Sequence, residues 1–147
     1  EDVSRKIRTE EVGKLASRVA AFPNLRSEIL DLQRSFRKPP GLVADGRDMG
    51  TVVFPDAEVK FFLKASAEAR AQRRYNELKN RGFDVRLPLL LEEILDRDTR
   101  DSARSAAPLR PADDSILIDS SQLSALEVAE RALNTLEKKG IYRKKSF

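Results

Sequence analysis

The sequence predicts an α/β fold with a parallel sheet, on three observations. Short apolar runs at 42–44, 59–63 and 116–118 read as buried strands. Segments with the 3.6-residue repeat alternate with them, which is the pattern of strands joined by helical crossovers. The length, 147 residues, suits one domain that buries ~70 % of its unfolded surface.

The first helix falls on residues 9–21, where Val12, Leu15, Ala16 and Val19 stand at i, i+3, i+4 and i+7. Thr9 is placed to cap it, Glu10 and Glu11 suit its first turn, and Phe22-Pro23 closes it. A second helix starts at Pro23, with Leu25, Ile29, Leu32 and Phe36 on its apolar stripe, and Pro39-Pro40 stops it. Leu42-Val43-Ala44 then reads as a strand running into Asp45-Gly46. Val59-Lys60-Phe61-Phe62-Leu63, after Pro55-Asp56, is the second strand; Ile116-Leu117-Ile118, after Asp113-Asp114, is the third. Between these two lie helices over Ser66–Lys79 and Pro88–Arg104, separated by Arg81-Gly82-Phe83. Ser124 and Glu127 have the spacing of a capping box, with Leu123 and Val128 set for a hydrophobic staple, so a last helix starts there.

Composition removes whole classes of chemistry. Without cysteine there are no disulfides, thiolate nucleophiles or cysteine-bound zinc, and a reducing, cytoplasmic setting is expected. Without histidine there is no Ser-His-Asp triad and no imidazole base or metal ligand, so proton chemistry rests on Asp, Glu, Lys, Arg or Tyr. No apolar stretch reaches the ~18 residues of a membrane span, and Glu-Asp-Val-Ser-Arg-Lys has no signal-peptide character. A first residue of Glu rather than Met points to a start inside a longer gene product. The net charge of +4 is concentrated in the last ten residues, which carry five basic side chains and no acidic one. That end reads as a solvated tail rather than a polyanion-binding arm.

Three groups of residues could carry chemistry. Asp45-Gly46-Arg47-Asp48-Met49-Gly50-Thr51 lies at the carboxyl end of a predicted strand, where open α/β sheets bind ligands. Its glycines permit close backbone approach, and Arg47 between two carboxylates offers a fork for phosphate or a base edge. An ordinary Asp-Gly turn with a local ion pair would look the same. Arg97, Asp101 and Arg104 share one helix face at i, i+4 and i+7, with Arg100 alongside. Guanidiniums oriented by a carboxylate suit an oligophosphate or a transferring phosphoryl group, and a solvated, salt-bridged face is the alternative. Arg70, Arg73 and Arg74 form a third basic group at the start of the helix after the second strand. Together the arginines favour a small anionic ligand over duplex DNA, whose readers present a broad basic face.

The run Leu42-Val43-Ala44-Asp45-Gly46-Arg47-Asp48-Met49-Gly50-Thr51-Val52-Val53-Phe54-Pro55-Asp56-Ala57 carries a specific match. With Phe62-Leu63-Lys64-Ala65-Ser66, Arg97-Asp98 through Arg104 and Ala107-Pro108-Leu109, it closely resembles bacterial cytidylate kinase from about Ile7 to about Lys138. The resemblance implies a P-loop nucleoside monophosphate kinase fold, a parallel sheet flanked by helices with a helical lid. It implies transfer of the γ-phosphoryl of ATP, with Mg²⁺, to CMP or dCMP, by a cytoplasmic, monomeric enzyme without nucleic-acid or membrane partners. Carried over by position, Ser17, Arg26, Arg47, Asp48, Asp101 and Arg104 correspond to the acceptor-nucleotide set, with Ser17 and Asp48 reaching the cytosine or its ribose. Arg47, Arg97 and Arg104 correspond to the catalytic cations around the acceptor phosphate and the transferred group. Arg70, Arg73, Arg97 and Arg100 lie on the segment implied to close over ATP. The implied organisation is 1–40, two helices ending the acceptor region; 41–69, core strands; 70–104, lid; 105–138, a core strand and the last helix; 139–147, the basic tail. Phosphoryl transfer needs in-line positioning and charge neutralisation more than an acid or base, so the missing histidine is no obstacle.

No G-x-x-x-x-G-K-[ST] loop occurs among the six glycines, so the phosphate cradle, its Lys and its Mg²⁺-binding Ser/Thr are absent from these 147 residues. In the family that loop lies at the amino terminus, and its strand sits between those equivalent to 42–45 and 58–63. The chain is therefore expected to correspond to the carboxyl-terminal two-thirds or so of such an enzyme, and to be unstable or inactive alone. Other readings are a monophosphate kinase of different base selectivity, a nucleotide-binding remnant without turnover, and a nucleic-acid binder resting on its tail and a pI near 9.5.

Overall fold

A computed structural model describes residues 2, 3, 7, 9–103 and 107–141. In order along the chain it contains α1 (Glu10–Val19), α2 (Pro23–Ser35), a π-helical turn (Met49–Val53), β1 (Phe61–Lys64), α3 (Ala67–Asn80), α4 (Leu87–Ala103), β2 (Ile116–Asp119) and α5 (Ala125–Lys138). The fold is α/β, with a small parallel sheet flanked by helices.

The helices begin where side chains satisfy their first amides. Thr9 Oγ1 accepts from the Val12 amide at 3.3 Å, and Ser66 Oγ from the Ala69 amide at 3.1 Å. At α5 the capping box is complete: the Glu127 amide donates to Ser124 Oγ at 3.2 Å, and the Ser124 amide donates to the Glu127 carboxylate at 2.8 Å. In α2 no side chain caps the start; Pro23 stands in the first turn, where its missing N–H costs nothing.

The chain divides into two compact units. The first, residues 1–56 and 93–110, holds α1, α2, the π turn and most of α4. Its buried residues are Val53 and Phe54, together with Asp48 and Asp101. The apolar stripe predicted for α2 exists but faces outward: no residue of α2 is buried, and Phe36 is 61 % exposed. The second unit, residues 57–92 and 111–147, holds β1, α3, the start of α4, β2 and α5, with Ala71, Leu78, Leu90 and Ile118 buried. β1 and β2 run parallel in register from Phe61↔Ile116 to Lys64↔Asp119, and the Ile116 and Ser120 amides extend the ladder to the Lys60 and Lys64 carbonyls.

Two expectations need correction. Leu42-Val43-Ala44 forms no strand, and Val43 is 99 % exposed. A strand exists only through a neighbour that pairs its N–H and C=O groups, and among the described residues the single ladder joins β1 to β2. Strand β1 begins at Phe61 rather than Val59, where the pairing with β2 begins. The π turn had no counterpart in the reading from sequence. Arg104 lies outside the described residues, as does the tail from 142 onward. Among the described residues no helix is long and apolar enough to cross a membrane.

Candidate functional site

In the first unit a buried carboxylate gathers residues from three distant parts of the chain. Asp101, near the end of α4, is 3 % exposed. Its Oδ1 accepts from Ser17 Oγ of α1 at 3.2 Å, and its Oδ2 accepts from Arg47 Nε at 3.1 Å. Arg97 Nε, one turn earlier on α4, lies 3.7 Å from the same Oδ2. A carboxylate so removed from water is costly unless donors meet it, and here a hydroxyl and two guanidiniums do. The arginine side chains themselves remain 44 % exposed. With Nε committed to Asp101, the two Nη groups of Arg47 form a fork suited to phosphate oxygens.

Asp48 makes a second centre. Its side chain, 9 % exposed, is paired with Arg26 Nη2, while Arg26 Nη1 donates to the Ala20 carbonyl at the end of α1 at 3.2 Å. The backbone sets this position. Amides of Val52 and Val53 converge on the Asp48 carbonyl at 2.9 and 3.2 Å, and the Phe54 amide closes on the Met49 carbonyl at 2.7 Å. Glycine at 46 leaves space for the Met49 side chain: a Cβ there would lie 2.9 Å from both Cγ and Cε of Met49, which would have to shift. Arg47 and Asp48, adjacent in sequence, thus join the two centres.

An apolar-walled cavity of about 620 Å³ lies beside Ser17, lined by Leu15, Val19 and Phe22 with Arg18 and Arg100 among its polar residues. Arg100 Nε also donates to its own helix, at the Asp96 carbonyl, at 3.2 Å. The other two arginines of the implied lid belong to the second unit. Arg73 donates to the carbonyls of Ser120 and Leu123, the latter at 3.1 Å, and so ties down the turn between β2 and α5. Arg70 Nε reaches the Ser66 carbonyl at 3.4 Å.

Sequence reasoning singled out Ser17, Arg26, Arg47, Asp48, Arg97 and Asp101, and the structure brings them together as these two linked centres. It missed Arg34 and Arg37. Arg34 Nε donates to the Val53 carbonyl at 3.0 Å and Nη2 to the Val52 carbonyl at 3.2 Å. Arg37 donates to Asp56 at 2.9 Å and lies 5.5 Å from the Phe54 ring centroid. Its hydrogen bond, aided by Asp56's own backbone, holds the Asp56 carboxyl below its ordinary value. The available signal was spacing: Arg34 follows Arg26 by eight residues, close to the same side of α2.

A small parallel sheet with helices around it defines an α/β protein, whose first unit orders guanidiniums around a buried carboxylate. A model of the family "Cytidylate kinase" matches residues 1–138. The cytidylate kinase of Methylococcus capsulatus is 61 % identical over 136 residues, covering 92 % of this chain and 61 % of that protein. That of Aeromonas salmonicida is 60 % identical over 133 residues (90 % and 58 %), and that of Pseudomonas paraeruginosa 59 % over 140 (95 % and 61 %). The chain belongs to the cytidylate kinase family. It spans about six-tenths of the length of the curated relatives it matches.

Proposed function

We propose that this chain supplies the acceptor-binding and phosphate-handling residues of a kinase that transfers the γ-phosphoryl of ATP to CMP or dCMP. The observation that carries the proposal is the convergence of Ser17, Arg47 and Arg97 on the buried carboxylate of Asp101. Asp101 fixes the two guanidiniums from behind, so that no reorganisation is needed when negative charge spreads over the transferring group. Arg47 and Arg97 then neutralise acceptor phosphate and transferred group. Arg104, from the same helix face in the sequence, is assigned with them. Ser17 and Asp48 read the nucleoside, with Arg26 holding the Asp48 carboxylate. Residues 70–104 close over ATP, with Arg70, Arg73, Arg97 and Arg100 as the cations assigned to it.

Among the described residues no cluster of three or more carboxylates is set to hold a metal ion. Mg²⁺ would arrive with the ATP substrate. Family membership and the relatives named "Cytidylate kinase" support this reading, as does the absence of any step that needs histidine.

The test is calorimetric titration of the full-length protein, its intact mass measured alongside, with CMP, UMP and ATP at moderate salt. CMP bound in preference to UMP is the expected result. Equal affinity for all three, weakening steeply with salt, would replace this reading with a non-selective polyanion site.

A further inference from the structure

The π turn that carries Asp48 ends in Val52 and Val53, whose carbonyls have no following helical turn to pair with, the ordinary predicament of a helix end. Both are instead met by one side chain, the guanidinium of Arg34, with Nε on Val53 and Nη2 on Val52. At the other end of the same turn, Arg26 holds the Asp48 carboxylate. Both arginines belong to α2, separated by two helical turns or about 12 Å of rise. One helix therefore holds the turn at the residue that precedes it, Asp48, and at its last two residues. The amides of Val52 and Val53 converge on the Asp48 carbonyl, so the two residues whose carbonyls Arg34 meets are themselves hydrogen-bonded to Asp48.

From this we propose that Arg34 is a positioning residue for acceptor recognition, acting on the nucleotide only through the π turn and Asp48. The inference rests on the proposed function for its readout in nucleotide selectivity, and on the hydrogen bonds alone for its readout in the backbone. An arginine is required because two neighbouring carbonyls must be met from one plane; lysine supplies a single point of charge.

The experiment compares the full-length protein with its Arg34→Gln and Arg34→Lys forms in two measurements, amide hydrogen exchange and the ratio of affinities for CMP over UMP and over dCMP. Arg34→Gln is expected to speed exchange of the Val52, Val53 and Phe54 amides at least tenfold while leaving α1 and α2 unchanged. It should lower at least one selectivity ratio about fivefold, the size of a net hydrogen bond, with ATP affinity unaltered. Arg34→Lys should lie between the two, and takes over both measurements if Arg34→Gln does not fold. Exchange that stays protected in the turn, or rises evenly over the whole unit, overturns the proposal. So does a CMP preference that survives both substitutions. An unsubstituted full-length protein that shows no CMP preference overturns the function proposed above instead, and is recognised by that before any variant is made.

Discussion

In the first unit the buried side chains are as much charged as apolar: Asp48 and Asp101 are buried as Val53 and Phe54 are, and a half-buried Arg26 and an exposed Arg47 hold the two carboxylates. The second unit buries Ala71, Leu78, Leu90 and Ile118, and its only buried polar residue among those described is Ser120, which donates to the Lys64 carbonyl at 3.1 Å. Its ion pairs lie at the surface: Lys60 with Asp114 at 2.8 Å is open to water on the aspartate side, and Glu77, which meets Arg74 and Arg81, is 43 % exposed. The contrast teaches where function is stored. Carboxylates taken from water destabilise a fold unless paired, so a unit that keeps two of them is organised for something other than stability. The unit built on apolar packing and caps carries no comparable arrangement among its described residues.

The comparison breaks most sharply at Asp101. Asp101→Ala leaves the Arg47 and Arg97 guanidiniums and the Ser17 hydroxyl without their shared acceptor, and should cost about 3 kcal/mol, or roughly 100-fold in CMP affinity. Titration of CMP into the variant measures it. Affinity within threefold of the unsubstituted chain would show that the buried carboxylate does not order the cations. Ile118→Ala probes the other unit: deleting a buried side chain should lower stability by about 3 kcal/mol, visible in urea unfolding. Nucleotide selectivity measured below the transition should be unchanged by it. A selective loss of CMP binding there would erase the distinction drawn between the units.

What the sequence made legible follows the same division. The second unit is specified by short-range signals: a helical segment at Ser66–Lys79 ended by Arg81-Gly82-Phe83, apolar runs at β1 and β2, and Ser124 three residues ahead of Glu127. Each is a local rule, and each element formed within two residues or so of where it was expected. In the first unit the helices were equally plain, through Thr9 and Pro23, but the site is made by pairs such as Ser17 with Asp101 and Arg26 with Asp48. No periodicity joins residues so far apart in the chain. Only Arg97 and Asp101, one turn apart, were visible as a pair; Ser17 and Arg26 entered through family resemblance. The strand expected at 42–44 failed for a related reason, since apolar character can nominate a strand but cannot supply the neighbour that pairs its backbone. The π turn was missed because five residues, Met49 to Val53, are too few to show any repeat.

The cap of α5 gives the smallest effects and the finest test. Ser124→Ala removes the acceptor for the Glu127 amide and should cost about 1 kcal/mol, confined to the second unit. The other half of the box depends on pH. The Ser124 amide and hydroxyl both donate to the Glu127 carboxylate and hold it below its ordinary value of 4.5. In the window between that lowered value and 4.5 the unfolded chain binds more protons than the folded one, so stability rises with pH there. The contribution is fully present above 4.5 and is lost as pH falls through the folded value. Glutamine can still accept the amide hydrogen bond but does not titrate. Glu127→Gln should therefore keep the helix while flattening the pH dependence of urea unfolding below 4.5, leaving the slopes due to Asp114 and Asp119, whose carboxyls are lowered by Lys60 and Ser121. An unaltered slope would mean that the reciprocal hydrogen bond to Glu127 is not maintained in solution, and that the serine alone starts the helix.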